Sequence, residues 1–211
     1  MATTLYHIKE ERINVISHLI GLILSVFAFI ALLIKACRIN QANYIAGFSI
    51  FGLSLIMLYL ASTLYHSATH KETRLKLNIF DHASIYVLIA GSYTPYTLIT
   101  LKGKTGWILF GVVWGIALIG VTYKIFFFGR HHDYISTVLY VLMGWLIVFV
   151  IKPLYNNLST PGMIWLILGG VFYTVGALFY MRDKLNYNHA IFHIFVLLGS
   201  LCHFVSIYFF V

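Results

Sequence analysis

Charge is what this 211-residue chain has least of: Asp, Glu, Lys and Arg together supply 9% of it, and only six residues are acidic. A soluble globular domain draws about a quarter of its residues from those four types, so a soluble enzyme or binding module is excluded. Cysteine is nearly absent too. Cys37 and Cys202 make neither a disulfide framework nor a paired-thiolate metal motif. The shortage of acid leaves a formal charge of +8, but the 14 Lys and Arg residues lie mostly at the ends of apolar runs. There they anchor and orient the chain, and no nucleic-acid partner is implied. A cleaved signal peptide is not expected either, because the first apolar run is long and no small-residue cleavage site follows it.

What the chain does have is apolar length. Hydrophobic residues make up 61% of it, with a mean hydropathy of +0.90. A helix needs about 20 apolar residues to cross a bilayer. Such stretches run approximately Val15–Lys35, Tyr44–Leu64, Ile79–Ile99, Thr105–Phe127, Tyr134–Ile151, Gly162–Met181 and Asn188–Val211. The expected fold is therefore all-α: one polytopic seven-transmembrane-helix bundle over residues 1–211, with no separate soluble domain or linker. The first fourteen residues read as a polar tail carrying Lys9, Glu10, Glu11 and Arg12. Pro95 falls inside the third span and should kink it. Pro153 and Pro161 punctuate the loop before the sixth span, where Gly169-Gly170 and Gly176 permit close helix packing.

The basic residues also predict orientation. Lys9, Arg12, Lys71, Arg74, Lys76, Lys124, Arg130, Arg182 and Lys184 fall on one side, against Lys35, Arg38, Lys102, Lys104 and Lys152 on the other. The richer side is expected to be cytoplasmic, which puts the N-terminus inside and the C-terminus outside.

That topology brings four ionisable residues to one depth. His189 and His193, one turn apart on the last span, share a helical face. His66 closes the second span, and Asp81 opens the third. Three neutral imidazoles with an open fourth position describe a catalytic zinc site. Magnesium or calcium would want more oxygen ligands. Asp81 is the only acidic residue in any predicted span and is placed to act as general base on a metal-activated water. Ser62, one turn from His66, is placed to donate a hydrogen bond to that water or to a substrate carbonyl. Blander readings stand beside these. A histidine pair at this spacing also arises by chance or satisfies helix-end carbonyls, and Asp81 could be an N-terminal cap favoured by the macrodipole. His82 points about 100° away from Asp81 on the helix and reads as a packing or interfacial residue. His7, His70, His131 and His132 fall in tails or loops. His203 lies mid-helix, too deep to share the same ion, and is a candidate to pair within the bundle.

Taken together these residues resemble the bacterial hemolysin III branch of the progestin and adipoQ receptor family. Glu11-Arg12-Ile13-Asn14 with Ser17-His18 is similar to the family's first motif. Ser62-x3-His66 with Asp81-His82 and Gly91-Ser92-Tyr93-Thr94-Pro95 resembles the second, and His189-x3-His193 the third. The resemblance covers essentially the whole chain. It implies a seven-helix bundle with zinc near the cytoplasmic face, held by His66, His189 and His193, with Asp81 contacting the ion through water. The receptors' long cytoplasmic N-terminal domain is missing, so receptor signalling is not implied. Similarity to alkaline ceramidases, which carry a like Ser/His/Asp/His-x3-His set, implies a zinc-dependent hydrolase of lipid amide or ester bonds in the cell membrane. Membrane lipids with fatty acyl or ceramide-like character are then the expected partners. Two alternatives remain: a lipid-responsive regulator of membrane composition with structural zinc, and a pore-forming hemolysin. The second is disfavoured, since so apolar a bundle offers no amphipathic pore-lining repeat.

Overall fold

A computed structural model describes residues 7–127, 130–182 and 184–211, with backbone alone at 130–133. Every regular element among them is a helix. In chain order these are α1 (Ile8–Ile39), α2 (Ala42–Ser67), α3 (Lys71–Pro95), α4 (Gly103–Phe126), α5 (Arg130–Gly144), α6 (Ile151–Tyr155), α7 (Thr160–Tyr180) and α8 (Asn188–Phe210). A π-helical turn, Tyr96–Thr100, extends α3, and a 3-10 segment, Trp145–Val150, joins α5 to α6. Among the described residues, six helical segments are long and apolar enough to cross a membrane, with α5 and α6 counted as one segment, Tyr134–Tyr155. The protein is thus a multi-pass membrane protein. α3 is long enough but carries Asp81, His82, Ser84, Ser92 and Thr94 along its length and is not among the six.

Lipid, not water, is the solvent that shaped the helix faces. On α1 the buried residues include Ser17, Gly21 and Ser25, whereas Ile20, Ile23, Leu24, Phe27, Ile30 and Ile34 point outward. Small residues inside and large apolar ones outside are what a bilayer favours, because hydrocarbon costs nothing to expose there and close packing is the remaining gain. A Cβ at Gly21 would run into the Tyr59 ring and Leu197, so that glycine sets how closely α1 approaches α2 and α8. The core between helices is built from Leu32, Phe48, Phe51, Leu55, Tyr59 and Tyr86, all buried.

Several expected boundaries shift. α1 begins at Ile8, so Lys9–Asn14 are its first turns and not a tail; residues 1–6 lie outside the described part. His7 caps the helix by accepting from the Lys9 N–H at 3.4 Å, and Glu10 and Glu11 suit the positive dipole end. α3 begins at Lys71, eight residues before the expected Ile79, and its first turns bury Arg74 and Asn78. Asp81 consequently sits ten residues inside α3, and the capping role is ruled out. The backbone at His131 and His132 belongs to α5, not a loop, and their side chains lie outside the described residues.

At Pro95, where a kink is expected, the α-helix gives way to the π-helical turn. The proline ring nitrogen has no proton to give the helix ladder, and the chain passes into wider turns in which the Leu101 N–H reaches the Tyr96 carbonyl at 2.8 Å. The break at residues 145–150 has a different cause. In a continuous helix the Ile147 N–H would bond the Met143 carbonyl. Here the Tyr93 hydroxyl stands between them, accepting from Ile147 N at 2.9 Å and donating towards the carbonyls of Met143 at 3.0 Å and Gly144 at 2.6 Å. A side chain inserted into the ladder is an established source of helix distortion.

Candidate metal centre

Short connections make successive helices antiparallel, so α1, α3 and α8 begin, and α2 finishes, at the same end of the bundle. There α2 presents His66 in its last turn, and the first two turns of α8 present His189 and His193. All three imidazoles are buried, and one ring nitrogen from each lies within 4.8 Å of the other two. His66 Nε2 and His189 Nε2 are 3.1 Å apart. Tetrahedral zinc with bonds of roughly 2.0–2.1 Å spaces its nitrogens by roughly 3.4 Å, so the cluster fits such an ion with small side-chain adjustments.

Hydrogen bonds behind the cluster fix which nitrogen faces inward. His66 Nδ1 lies 2.6 Å from Glu11 Oε2. An ionised carboxylate can only accept, so Nδ1 carries the proton and Nε2 offers its lone pair. The Ser17 hydroxyl donates to the Asn14 carbonyl at 3.0 Å, which leaves its oxygen to accept from His193 Nδ1 at 3.4 Å. That assigns His193 the same tautomer. Carboxylate or hydroxyl support of a ligating imidazole is the arrangement seen around metal centres generally. Glu11 is itself held by Arg74, which pairs with its other oxygen, donates to the carbonyls of Tyr65 at 3.3 Å and Ala68 at 3.2 Å, and lies over the Tyr65 ring. One ion-pair network thus ties α1, α2 and α3 to the Nδ1 edge of His66, behind the nitrogen that faces the cluster.

Asp81 and Ser62 are buried beside the cluster but outside the ligand triangle. The Asp81 carboxylate has Ser62, His66, His82 and Lys124 as its electrostatic neighbours, and Ser62 Oγ faces it without completing a hydrogen bond of normal geometry. Both residues line a cavity of about 300 Å³ together with His189 and His193. Its remaining walls are mainly apolar, including Leu58, Ile85, Ile89, Val196 and Trp145. His18 lines it as well, stacked on His193 with ring centroids 3.5 Å apart and both nitrogens unpartnered. Lys124 is fully buried and reaches His82 Nδ1 at 3.2 Å, while Tyr140 donates to the His82 carbonyl at 2.8 Å.

The five residues proposed from sequence therefore converge at one end of the bundle: three as a ligand triangle, two on the adjoining cavity wall. Glu11, Ser17, Arg74 and Lys124 were missed as site residues. By sequence Arg74 and Lys124 are membrane-flanking charges; their burial depends on helix ends and packing that hydropathy does not mark. His82, expected as a packing or interfacial residue, is buried and meets Lys124.

A family model described as haemolysin-III related matches residues 6–204. Hemolysin-3 of Bacillus cereus is 47% identical over 204 residues, covering 97% of this chain and 93% of its own length. The Hemolysin-3 homolog of Bacillus subtilis (strain 168) is 48% identical over 206 residues, covering 98% and 96%. Human Monocyte to macrophage differentiation factor is similar at greater distance, 27% identical over 165 residues, with 75% of this chain and 68% of its own covered.

Proposed function

The chain belongs to the haemolysin-III-related family, and from that premise we propose that it is a membrane-embedded zinc hydrolase acting on an amide or ester bond of a lipid. The observation that carries this reading is the triangle of imidazole nitrogens opening onto an apolar cavity that also holds Asp81 and Ser62. Bound by His66, His189 and His193, zinc supplies Lewis-acid polarisation and lowers the pKa of water to roughly 7. Asp81 takes a proton from the attacking water and returns it to the leaving nitrogen or oxygen, so acid and amine, or acid and alcohol, are the products. The Ser62 hydroxyl donates to the carbonyl oxygen as negative charge develops there. The cavity walls take the acyl chain and exclude bulk water. Glu11 and Ser17 hold His66 and His193 in the tautomers that face inward.

In this reading α3 is a seventh span, its polar face covered by α2 and α4, which its extensive packing against both supports. The excess of Lys and Arg at the end carrying the site supports a cytoplasmic position for that end and for the N-terminus.

The test is turnover of fluorogenic lipid amides and esters by the purified protein. Activity lost on chelation, restored by zinc and abolished by Asp81→Asn with zinc content retained supports the hydrolase. Turnover indifferent to Asp81→Asn or to chelation overturns it. Zinc retained without turnover of any acyl amide or ester leaves the non-enzymatic lipid-responsive reading in its place.

A further inference from the structure

His203 belongs to neither the ligand triangle nor the proton-transfer residues. It lies ten residues beyond His193 on α8, a rise of about 15 Å, or roughly a dozen extended methylene groups. It is buried at 8% exposure, yet it lines the same cavity as Ser62, Asp81, His189 and His193. Neither of its ring nitrogens completes a hydrogen bond. The Leu166 carbonyl is the backbone group close enough to interact with it.

The surroundings are built to hold this imidazole in place. A Cβ at Gly169 would run into its Cδ2 and Nε2 atoms, so α7 leaves the space that the ring occupies. Tyr173 meets the ring edge-on, with centroids 5.3 Å apart. The neighbouring polar groups are satisfied without it: the hydroxyls of Tyr59 and Tyr173 both reach Ser200 Oγ, at 2.7 and 2.8 Å. Among the described residues, His203 is the polar group at this end of the cavity without a completed hydrogen bond.

Neutral imidazole has one donor and one acceptor nitrogen. A small rotation lets the donor use the Leu166 carbonyl, which leaves a lone pair towards the cavity. A carbonyl or ether oxygen could not satisfy it. A hydroxyl could. We propose that the deep end of the cavity is a recognition site for a hydroxyl group carried part-way along an acyl chain, with His203 as the specificity-determining acceptor. This rests on the reading that the cavity takes a lipid chain with its head at the His66, His189 and His193 end.

Oleate and ricinoleate, which differ by one mid-chain hydroxyl, are the probes. Each displaces a fluorescent fatty acid from the detergent-solubilised protein, with metal content and thermal unfolding measured alongside. Ricinoleate binds wild type about tenfold tighter than oleate, the difference expected when a buried acceptor gains its missing partner. His203→Leu removes that preference while leaving oleate affinity and metal content unchanged. His203→Gln, which keeps an acceptor, retains part of it. Equal affinity of the two acids for wild type, or a preference surviving in His203→Leu, overturns this site alone. Displacement by neither acid overturns it together with the acyl-chain reading of the cavity.

Discussion

Replacing Glu11 by Gln isolates the electrostatic part of the support behind His66. The two side chains have nearly the same shape, and the amide oxygen can still accept from His66 Nδ1 at the observed 2.6 Å. What disappears is the negative charge that polarises the imidazole and pairs with Arg74. The side chains of His66 and Arg74 are 0% and 5% exposed and that of Glu11 is 16% exposed, so water replaces little of the lost interaction. Loss of an outer partner of a ligating histidine typically weakens metal binding about 10- to 100-fold, or ~1.4–2.7 kcal/mol. Taking the carboxylate away from the buried Arg74 guanidinium lowers stability as well, by up to ~3–5 kcal/mol, less what its bonds to the Tyr65 and Ala68 carbonyls retain. Zinc affinity is read by competition with a graded series of chelators, and stability by thermal unfolding of the same samples. Glu72→Gln, an exposed carboxylate in the first turn of α3, is the control and leaves both unchanged. Zinc affinity in Glu11→Gln equal to wild type would refute the role given to the Glu11–His66 bond.

Other residues give equally direct expectations. Tyr93→Phe removes the hydroxyl between Met143 and Ile147, leaving a buried N–H without a partner; unfolding shifts down by several degrees, for a cost of about 1–3 kcal/mol at about 2–4 °C per kcal/mol. A shift below a degree would show that the helix recloses on itself. Gly21→Leu forces α1 off Tyr59 and Leu197 and destabilises by ~1–3 kcal/mol or more, whereas Ile23→Leu on the outward face of α1 is neutral in the same assay. Ser62→Ala retains zinc but lowers kcat about 10²-fold; an unchanged kcat removes Ser62 from the oxyanion role.

Much of the fold was legible in the sequence because bilayer crossing imposes a length on each apolar run. That length located most of the helices, and the i, i+4 pair at His189 and His193 marked the cluster. The errors share one physical cause. Helix ends in a bundle are set by tertiary contacts, and the polar first turns of α1 and α3 look like loops until Glu11, Arg74 and Asn78 are seen packed against neighbours. The same blindness hid the support behind the histidine cluster, since nothing local connects Glu11 to His66 across 55 positions. The 3-10 break was equally unreadable, being caused by a hydroxyl from another helix. Pro95, whose effect is local and covalent, marks the point where the α-helix changes type, a signal the sequence carries by itself.

Metal content of the purified protein, beside His189→Ala/His193→Ala, tests the central claim most directly. Wild type prepared without chelator is predicted to hold about one zinc per chain, and the double variant almost none. A wild-type protein free of zinc, or a double variant that keeps its full complement, would contradict the account.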